Sequence, residues 1–384
     1  VRAHAQTADG EGPVFAAPYA EDDVSIARRI WQAGLLDAAA EVRAKDRATD
    51  FVRAMRDSQS GFAGIEELLR EYSLSTREGL ALMVLAEALL RVPDAATADR
   101  LIEDKLAQGD FEHYRTRTDD FAVNASAWAL GIAARIVRPE DRPENVFAQM
   151  AKRIGAPAVR LATRQAMRVL GNHFVLGQTI DEALARAKSS DPRLRYSFDM
   201  LGEGARTAAD ATRYFEAYAQ AIEAIGDTGG DKPLPDRPGV SVKLSALHPR
   251  YEAVSRERVL RELVPLVLEL ARKAKRHDLN LTIDAEEADR LELSLDVIAA
   301  VAADPSLAGW DGFGLAVQAY QKRAADVIDW IDALAQALNR RFMVRLVKGA
   351  YWDTEIKRAQ ERGLADYPVF TRKPMTDLNF IAVA

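Results

Sequence analysis

Lys243, Asp284, Gln318, Arg345 and Lys348 are the residues whose types and spacing could carry chemistry. Each sits at the end of a short β-prone run, the runs being 240–247, 281–284, 313–320 and 342–348. A lone Lys or Asp at a strand end is ordinarily a solvated rim residue, but several at equivalent positions in successive strands converge on one mouth. Three cations around one acid suit an anionic ligand such as a phosphate or carboxylate. Residue chemistry alone leaves two enzyme classes open. Lys243 beside Asp284 could form a Schiff base, as in a class I aldolase, or the cations could hold a phosphate-bearing cofactor. Arg345 and Lys348 differ in strand parity, so at most one points straight inward, and Gly349 lets the chain bend so that Lys348 reaches over the rim.

The elements that must position these residues begin after Asp191-Pro192, where a further run at 195–201 opens a series of short strands. They alternate with helical stretches at about 208–225, 255–277, 287–302, 322–340 and 354–363, the sign of a parallel sheet. In Val240-Ser241-Val242-Lys243-Leu244-Ser245 one face is apolar and the other polar. That parity favours an α/β fold of the (βα)8 TIM-barrel type, with a polar interior near the strand C-termini, over an open doubly wound sheet. About five βα units are expected within the chain. Gly202-Glu203-Gly204-Ala205-Arg206-Thr207 misses the dinucleotide fingerprint, because Thr207 stands at the third glycine position; it reads as a tight strand-to-helix turn.

Before the barrel, apolar residues recur at helical spacing, with capping boxes at Ser75-Thr76-Arg77-Glu78 and Thr179-Ile180-Asp181-Glu182. The expected division is an extended or disordered segment at 1–22, a helical arm and linker module at 23–190, and the barrel at 191–384. The 384 residues carry 52 Lys and Arg against 58 Asp and Glu, a net charge of -6 that argues against nucleic acid as a partner of this segment. There is no Cys, and five scattered His show no metal-ligand spacing, so no metal site is expected. No apolar run reaches the roughly 20 residues of a membrane span. Val1 and the clipped helix ending at Ala384 read as ends cut from a longer chain.

Several motifs carry a family resemblance. Asp199-Met200-Leu201-Gly202-Glu203, Val242-Lys243-Leu244-Ser245-Ala246-Leu247-His248-Pro249-Arg250-Tyr251, Ile283-Asp284-Ala285-Glu286-Glu287-Ala288-Asp289-Arg290, Gln318-Ala319-Tyr320-Gln321-Lys322-Arg323, Arg345-Leu346-Val347-Lys348-Gly349-Ala350-Tyr351-Trp352-Asp353 and Tyr367-Pro368-Val369-Phe370-Thr371-Arg372-Lys373 occur in this order. Together they resemble the proline dehydrogenase barrel of bacterial proline utilization A. Glu71-Tyr72-Ser73-Leu74-Ser75 and Ala86-Glu87-Ala88-Leu89-Leu90-Arg91 extend the resemblance into the helical module.

The resemblance implies an FAD enzyme that oxidises L-proline to pyrroline-5-carboxylate and passes electrons to a quinone, within a larger bifunctional protein that also oxidises glutamate semialdehyde. By family position Arg345 lies near flavin N5 and Gln318 on the isoalloxazine edge. Val347, Lys348, Gly349, Ala350 and Trp352 line the FAD site, and Lys243, Asp284, Ala350 and Tyr351 shape the proline pocket. Glu203 corresponds to a gate residue whose Arg partner lies on a later helix. The family's sixth strand with its FAD-contacting His, and its final helix with paired Arg and a Tyr, lie outside residues 1–384, so the segment alone is expected to bind FAD weakly and turn over little. A homo-oligomer through the helical arm, and a cytoplasmic location either free or peripheral to the inner membrane, are further implications. Two other readings predict different behaviour: a Schiff-base barrel using Lys243, and a structural or dimerisation fragment without activity.

Overall fold

The computed structural model describes residues 13–34, 37–57, 175–200, 204–228 and 232–384, with isolated positions at 97, 158 and 161–163. The period-2 runs after Pro192 become five parallel strands: β1 (Ser197–Asp199), β2 (Gly239–Val242), β3 (Asn280–Ile283), β4 (Phe313–Gln318) and β5 (Met343–Val347). They are hydrogen-bonded in sequence order, β1-β2-β3-β4-β5. In chain order the helices are α1 (Asp23–Ala33), α2 (Ala38–Asp57), α3 (Ile180–Lys188), α4 (Ala208–Thr228), α5 (Leu244–Leu247), α6 (Arg256–Arg276), α7 (Leu291–Ala302), α8 (Ala324–Leu338), α9 (Trp352–Glu361) and α10 (Lys373–Val383).

The barrel wall follows from the alternation. Val240, Val242, Leu281, Ile283, Phe313, Leu315 and Val317 are buried. Helix α6 answers with Val259, Leu263, Val267, Leu270, Ala271 and Ala274, spaced three or four apart on one face. At about 1.5–3 kcal/mol for each large apolar side chain removed from water, this outer layer is the main stabilising term. The alternate residues face inward. Asp199, Ser241 and Thr282 lie side by side across β1 to β3, and Ala316 faces Arg345 across β4 and β5. The small Ala316 leaves the long Arg345 side chain room to lie in the interior. The sheet curls enough for Arg345 Nη1 of β5 to reach Ser197 Oγ of β1 at 3.4 Å.

Several expectations change. The run 240–247 is not one strand: pairing stops at Val242 and Leu244–Leu247 turn into α5, whose Ala246 N–H donates to Lys243 O. The helix expected from 287 starts at Leu291, after a single 3-10 turn over Ala288–Arg290. The contacts divide the chain into Val1–Asp37 with Leu184–Ala384, and Ala38–Ala183. Helix α1 therefore belongs with the barrel, where Lys322 Nζ meets Asp23 Oδ1 at 2.8 Å, and not with a helical module starting at 23. Nor is the described part of the first segment loose, since Pro13 O accepts from Trp330 Nε1 at 2.6 Å.

The capping box at Thr179 is present: Thr179 Oγ1 accepts from Glu182 N at 3.2 Å, and Glu182 Oε2 accepts from Gln178 N at 2.9 Å. The box at Ser75, and Leu201, Gly202 and Glu203, lie outside the described residues. Thr207 does the work of a helix cap, accepting from Asp210 N at 3.1 Å while Asp210 Oδ2 accepts from Thr207 N at 3.0 Å.

Candidate active site

The inward parity of β2, β3 and β5 delivers Lys243, Asp284 and Arg345 to one place at the C-terminal ends of the strands. Lys243 Nζ lies 2.9 Å from Asp284 Oδ2, and Arg345 Nη2 pairs with Asp284 Oδ1. Asp284 is 6 % exposed, so both cations bind a carboxylate that water barely reaches. Such a buried acid is tolerable only because each oxygen has a charged partner. Arg345 Nη1 also donates to Ser241 Oγ at 2.6 Å. Lys243 Nζ has a second acid, Asp199 Oδ1, at 3.2 Å. Asp199, Ser197 and Ser241 were not among the expected site residues. Their signal lay in the parity already used: Asp199 and Ser241 are register partners on the face that carries Lys243.

The third cation does not join this group. Lys348 leaves β5 on the opposite parity and its Nζ pairs with Asp377 Oδ1 on α10 at 2.5 Å, with the Phe380 ring centroid 5.9 Å away. Lys373 holds the other Asp377 oxygen at 2.6 Å. Gly349 makes the turn at φ +145, and an added Cβ would lie 2.3 Å from the Tyr320 ring. The expected picture of three cations about one acid is thus corrected to two, with Lys348 at the rim.

Gln318 is buried, and both ends of its amide are engaged. Nε2 donates to Glu286 O at 2.9 Å and Oε1 accepts from Ala350 N at 3.0 Å. It therefore ties the loop after β3 to the turn after β5. Val347 O accepts from Ala319 N, which fixes the end of β5 against β4. Trp352 Nε1 donates to Phe370 O at 3.0 Å, while 44 % of the residue stays exposed. Tyr351 stands beside the cluster, its hydroxyl pushed up to about 12 by burial first and by Glu286 second. Burial likewise raises the carboxyls of Glu286 and Glu355. Glu286 Oε1 accepts from Ser245 N at 3.0 Å, and its Oε2 pairs with Arg290 at 2.7 Å.

Lys322 and Arg323, in the same motif as Gln318, serve the scaffold. Lys322 pairs with Asp23 and, at 3.2 Å, with Asp366. Arg323 donates to Ala288 O at 2.8 Å and lies over the rings of Phe15 and Tyr19. Among the described residues, no group of three or more His, Asp or Glu could hold a metal ion.

A parallel βα wall whose strand ends bring paired cations and acids to one mouth is the architecture of a barrel enzyme. Comparison with known proteins narrows the class. The family model for proline dehydrogenase matches residues 183–384, and this chain belongs to that family. It is 49 % identical over 331 residues to the bifunctional protein PutA of Klebsiella aerogenes, covering 85 % of this chain and 25 % of that protein. With PutA of Rhizobium meliloti it shares 48 % over 348 residues, 90 % of this chain and 28 % of the relative. A crystal structure of a Bradyrhizobium japonicum proline utilization A variant superposes with TM-score 0.69 at 65 % identity, covering 96 % of this chain and 37 % of that one. The chain therefore spans about a quarter of the length of these curated relatives.

A second family model, described as the DNA-binding domain of proline dehydrogenase, matches residues 64–174. This runs against the expectation, drawn from a net charge of -6, that the segment has no nucleic-acid partner. A whole-chain charge averages over local runs, and Lys152, Arg153, Arg160, Arg164 and Arg168 follow one another there with no acid between them.

Proposed function

We propose that this chain carries the flavin and proline sites of an FAD-dependent proline dehydrogenase, within a bifunctional proline-catabolic protein. The observation that carries the reading is the Lys243–Asp284–Arg345 cluster, placed by strand parity at the mouth of a barrel of this family. The donor set fits a flavin: a half-exposed guanidinium beside the interior, a lysine at the rim, a glycine turn without a side chain, and an exposed indole face. Arg345 would hold the ring and stabilise negative charge on it, Lys348 would face a phosphate, and Val347, Gly349, Ala350 and Trp352 would line the same side. FAD, when bound, supplies the two-electron acceptor for a hydride taken from the proline carbon next to the ring nitrogen.

The chain's own residues set up that transfer. Asp284 orients Lys243 and Arg345 from a position closed to water, so that neither cation need reorganise when charge develops. Asp199 draws Lys243 toward β1, so that Nζ has carboxylate partners on two strands at the mouth where a substrate carboxylate would bind. Gln318 holds Ala350, and with it Tyr351, against the loop behind Asp284. Glu203 would act at the gate.

A quinone acceptor completes the reaction, and a cytoplasmic protein peripheral to the inner membrane would meet it there. No helix among the described residues is long and apolar enough to cross a membrane. Helix α2 buries no residue and leaves Val42, Phe51, Val52 and Met55 exposed, which supports an oligomer through the arm. The test is an anaerobic titration with L-proline of the FAD-loaded larger protein that carries this segment. Bleaching of the oxidised flavin band is expected, and a spectrum unmoved by proline would refute the reading. The match at 64–174 favours one further property, duplex binding by that segment. A mobility shift that weakens with salt would support it.

A further inference from the structure

We propose that Glu355 is a positioning residue: by holding Ala288 it fixes the loop behind Asp284 to the helix behind Tyr351, and so keeps the acid–cation cluster and the 347–352 turn in one register. The inference rests on the proline-oxidising reading of the site. Helix α9 starts directly after that turn, and Glu355 N–H donates to Tyr351 O at 2.9 Å. The Glu355 side chain points the other way. Its residue is 2 % exposed, and Oε1 accepts from Ala288 N at 2.6 Å. A buried carboxylate held by a backbone N–H is a costly way to gain stability, whereas it fixes a loop firmly. The rest of the same helix face turns to the same loop. Arg358 pairs with Glu287 and with Asp289, each at 3.1 Å, and Arg362 pairs with Asp289 at 2.9 Å. Residues 355, 358 and 362 follow the spacing of one helical stripe.

A second bridge joins the same two loops independently, since Gln318 spans from Glu286 O to Ala350 N. Two bridges between two loops define their relative position, where one would leave a hinge. Asp284 is followed immediately by the held loop, and Ala350 and Tyr351 immediately precede the holding helix. Displacement of the loop would therefore move the reactive groups relative to each other, with the cluster's own pairs intact.

The test compares the parent protein with Glu355→Gln and Glu355→Leu, by hydrogen exchange at the Ala288 amide and by proline-dependent flavin reduction. Gln keeps the acceptor oxygen and is expected to retain Ala288 protection and kcat/KM within about twofold of the parent. Leu suits the buried site and is expected to stay folded, yet Ala288 exchange should speed up and kcat/KM should drop about tenfold, mostly through kcat. Ala288→Pro removes the donor instead; the preceding Glu287, at φ -65 and ψ 154, already has the backbone that a following proline requires. It should reproduce the loss in kcat. A Leu variant with unchanged kcat/KM, or a Gln variant as impaired as Leu, would overturn the proposal. If the parent itself is not reduced by proline, the proposed function has failed, and Ala288 exchange alone then decides whether the bridge exists.

Discussion

Two pairs of cations in neighbouring motifs meet opposite fates in this barrel. Lys243 and Arg345 gather on Asp284 with side chains 22 % and 38 % exposed, facing the mouth. Lys322 and Arg323 have side chains only 1 % and 3 % exposed, and their partners lie in segments far along the chain. The first pair can exchange a protein partner for a ligand, because solvent already reaches it. The second pair cannot do so without undoing α1, the 366–370 segment or the loop after β3. Motif membership does not separate the two kinds of cation; accessibility and the identity of the partner do.

The largest expected effect breaks the comparison at its ligand-facing end. Substituting Arg345→Met in the FAD-loaded protein should slow flavin reduction by proline by about a hundredfold, because the lost charge acts where negative charge develops. Proline binding and melting temperature should change far less. A reduction rate equal to that of the parent would remove Arg345 from the proposed mechanism.

The scaffold pair predicts the reverse pattern. Lys322→Met leaves Asp23 and Asp366 without their cation; their side chains are 31 % and 43 % exposed, although the Asp23 Oδ1 that faces Lys322 is itself buried. The expected cost in stability is therefore about 1–3 kcal/mol, below that of a fully buried orphaned charge. Denaturant unfolding measures the loss, and stopped-flow flavin reduction should match the parent. A slowed reduction in a folded variant would show that Lys322 belongs to the site after all.

A smaller effect sharpens the ligand-facing side. Asp199 Oδ1 lies 3.2 Å from Lys243 Nζ with its side chain 41 % exposed, so Asp199→Asn should relax the ammonium without unfolding anything. The expected result is a rise of about three- to tenfold in proline KM with kcat little changed. An unaltered KM would limit Asp199 to a surface role.

The sequence made the ligand-facing pair readable and hid the scaffold pair, for a physical reason. Strand parity is local: alternation in 240–245 places Ser241 and Lys243 on one face, and the same count places Asp284 and Arg345 inward. Asp199 obeys the same rule, as the register partner of Ser241 at the end of a three-residue strand. The partners of Lys322 and Arg323 obey no local rule. Asp23, Phe15 and Tyr19 stand some 300 residues away, and their short polar and aromatic segment reads as loose chain until the fold brings it to the barrel. Lys348 shows the opposite failure. Its strand-end position is correct, but a one-residue parity difference and the turn at Gly349 direct it to Asp377. Residues 244–247 satisfied the period of a strand and became α5, since a four-residue run is too short for periodicity to distinguish the two.

The smallest effect concerns an acid buried as deeply as the scaffold cations. Glu355 sits in a site that water hardly enters, and burial raises its carboxyl above the ordinary glutamate value. The native state then holds this proton more tightly than the unfolded chain does. Its contribution to stability is fully present below the unfolded value, near 4.3, and is lost as pH rises through the folded one. Glu355→Gln removes the titrating group and keeps the acceptor for Ala288. The variant should melt above the parent at pH 7, where the raised carboxyl costs the native state most. The gap should close as pH is lowered toward 4. Melting curves recorded across that range decide the point: a constant gap would mean that the carboxyl titrates alike in both states, and that Glu355 differs from the cations it neighbours in holding its place without cost.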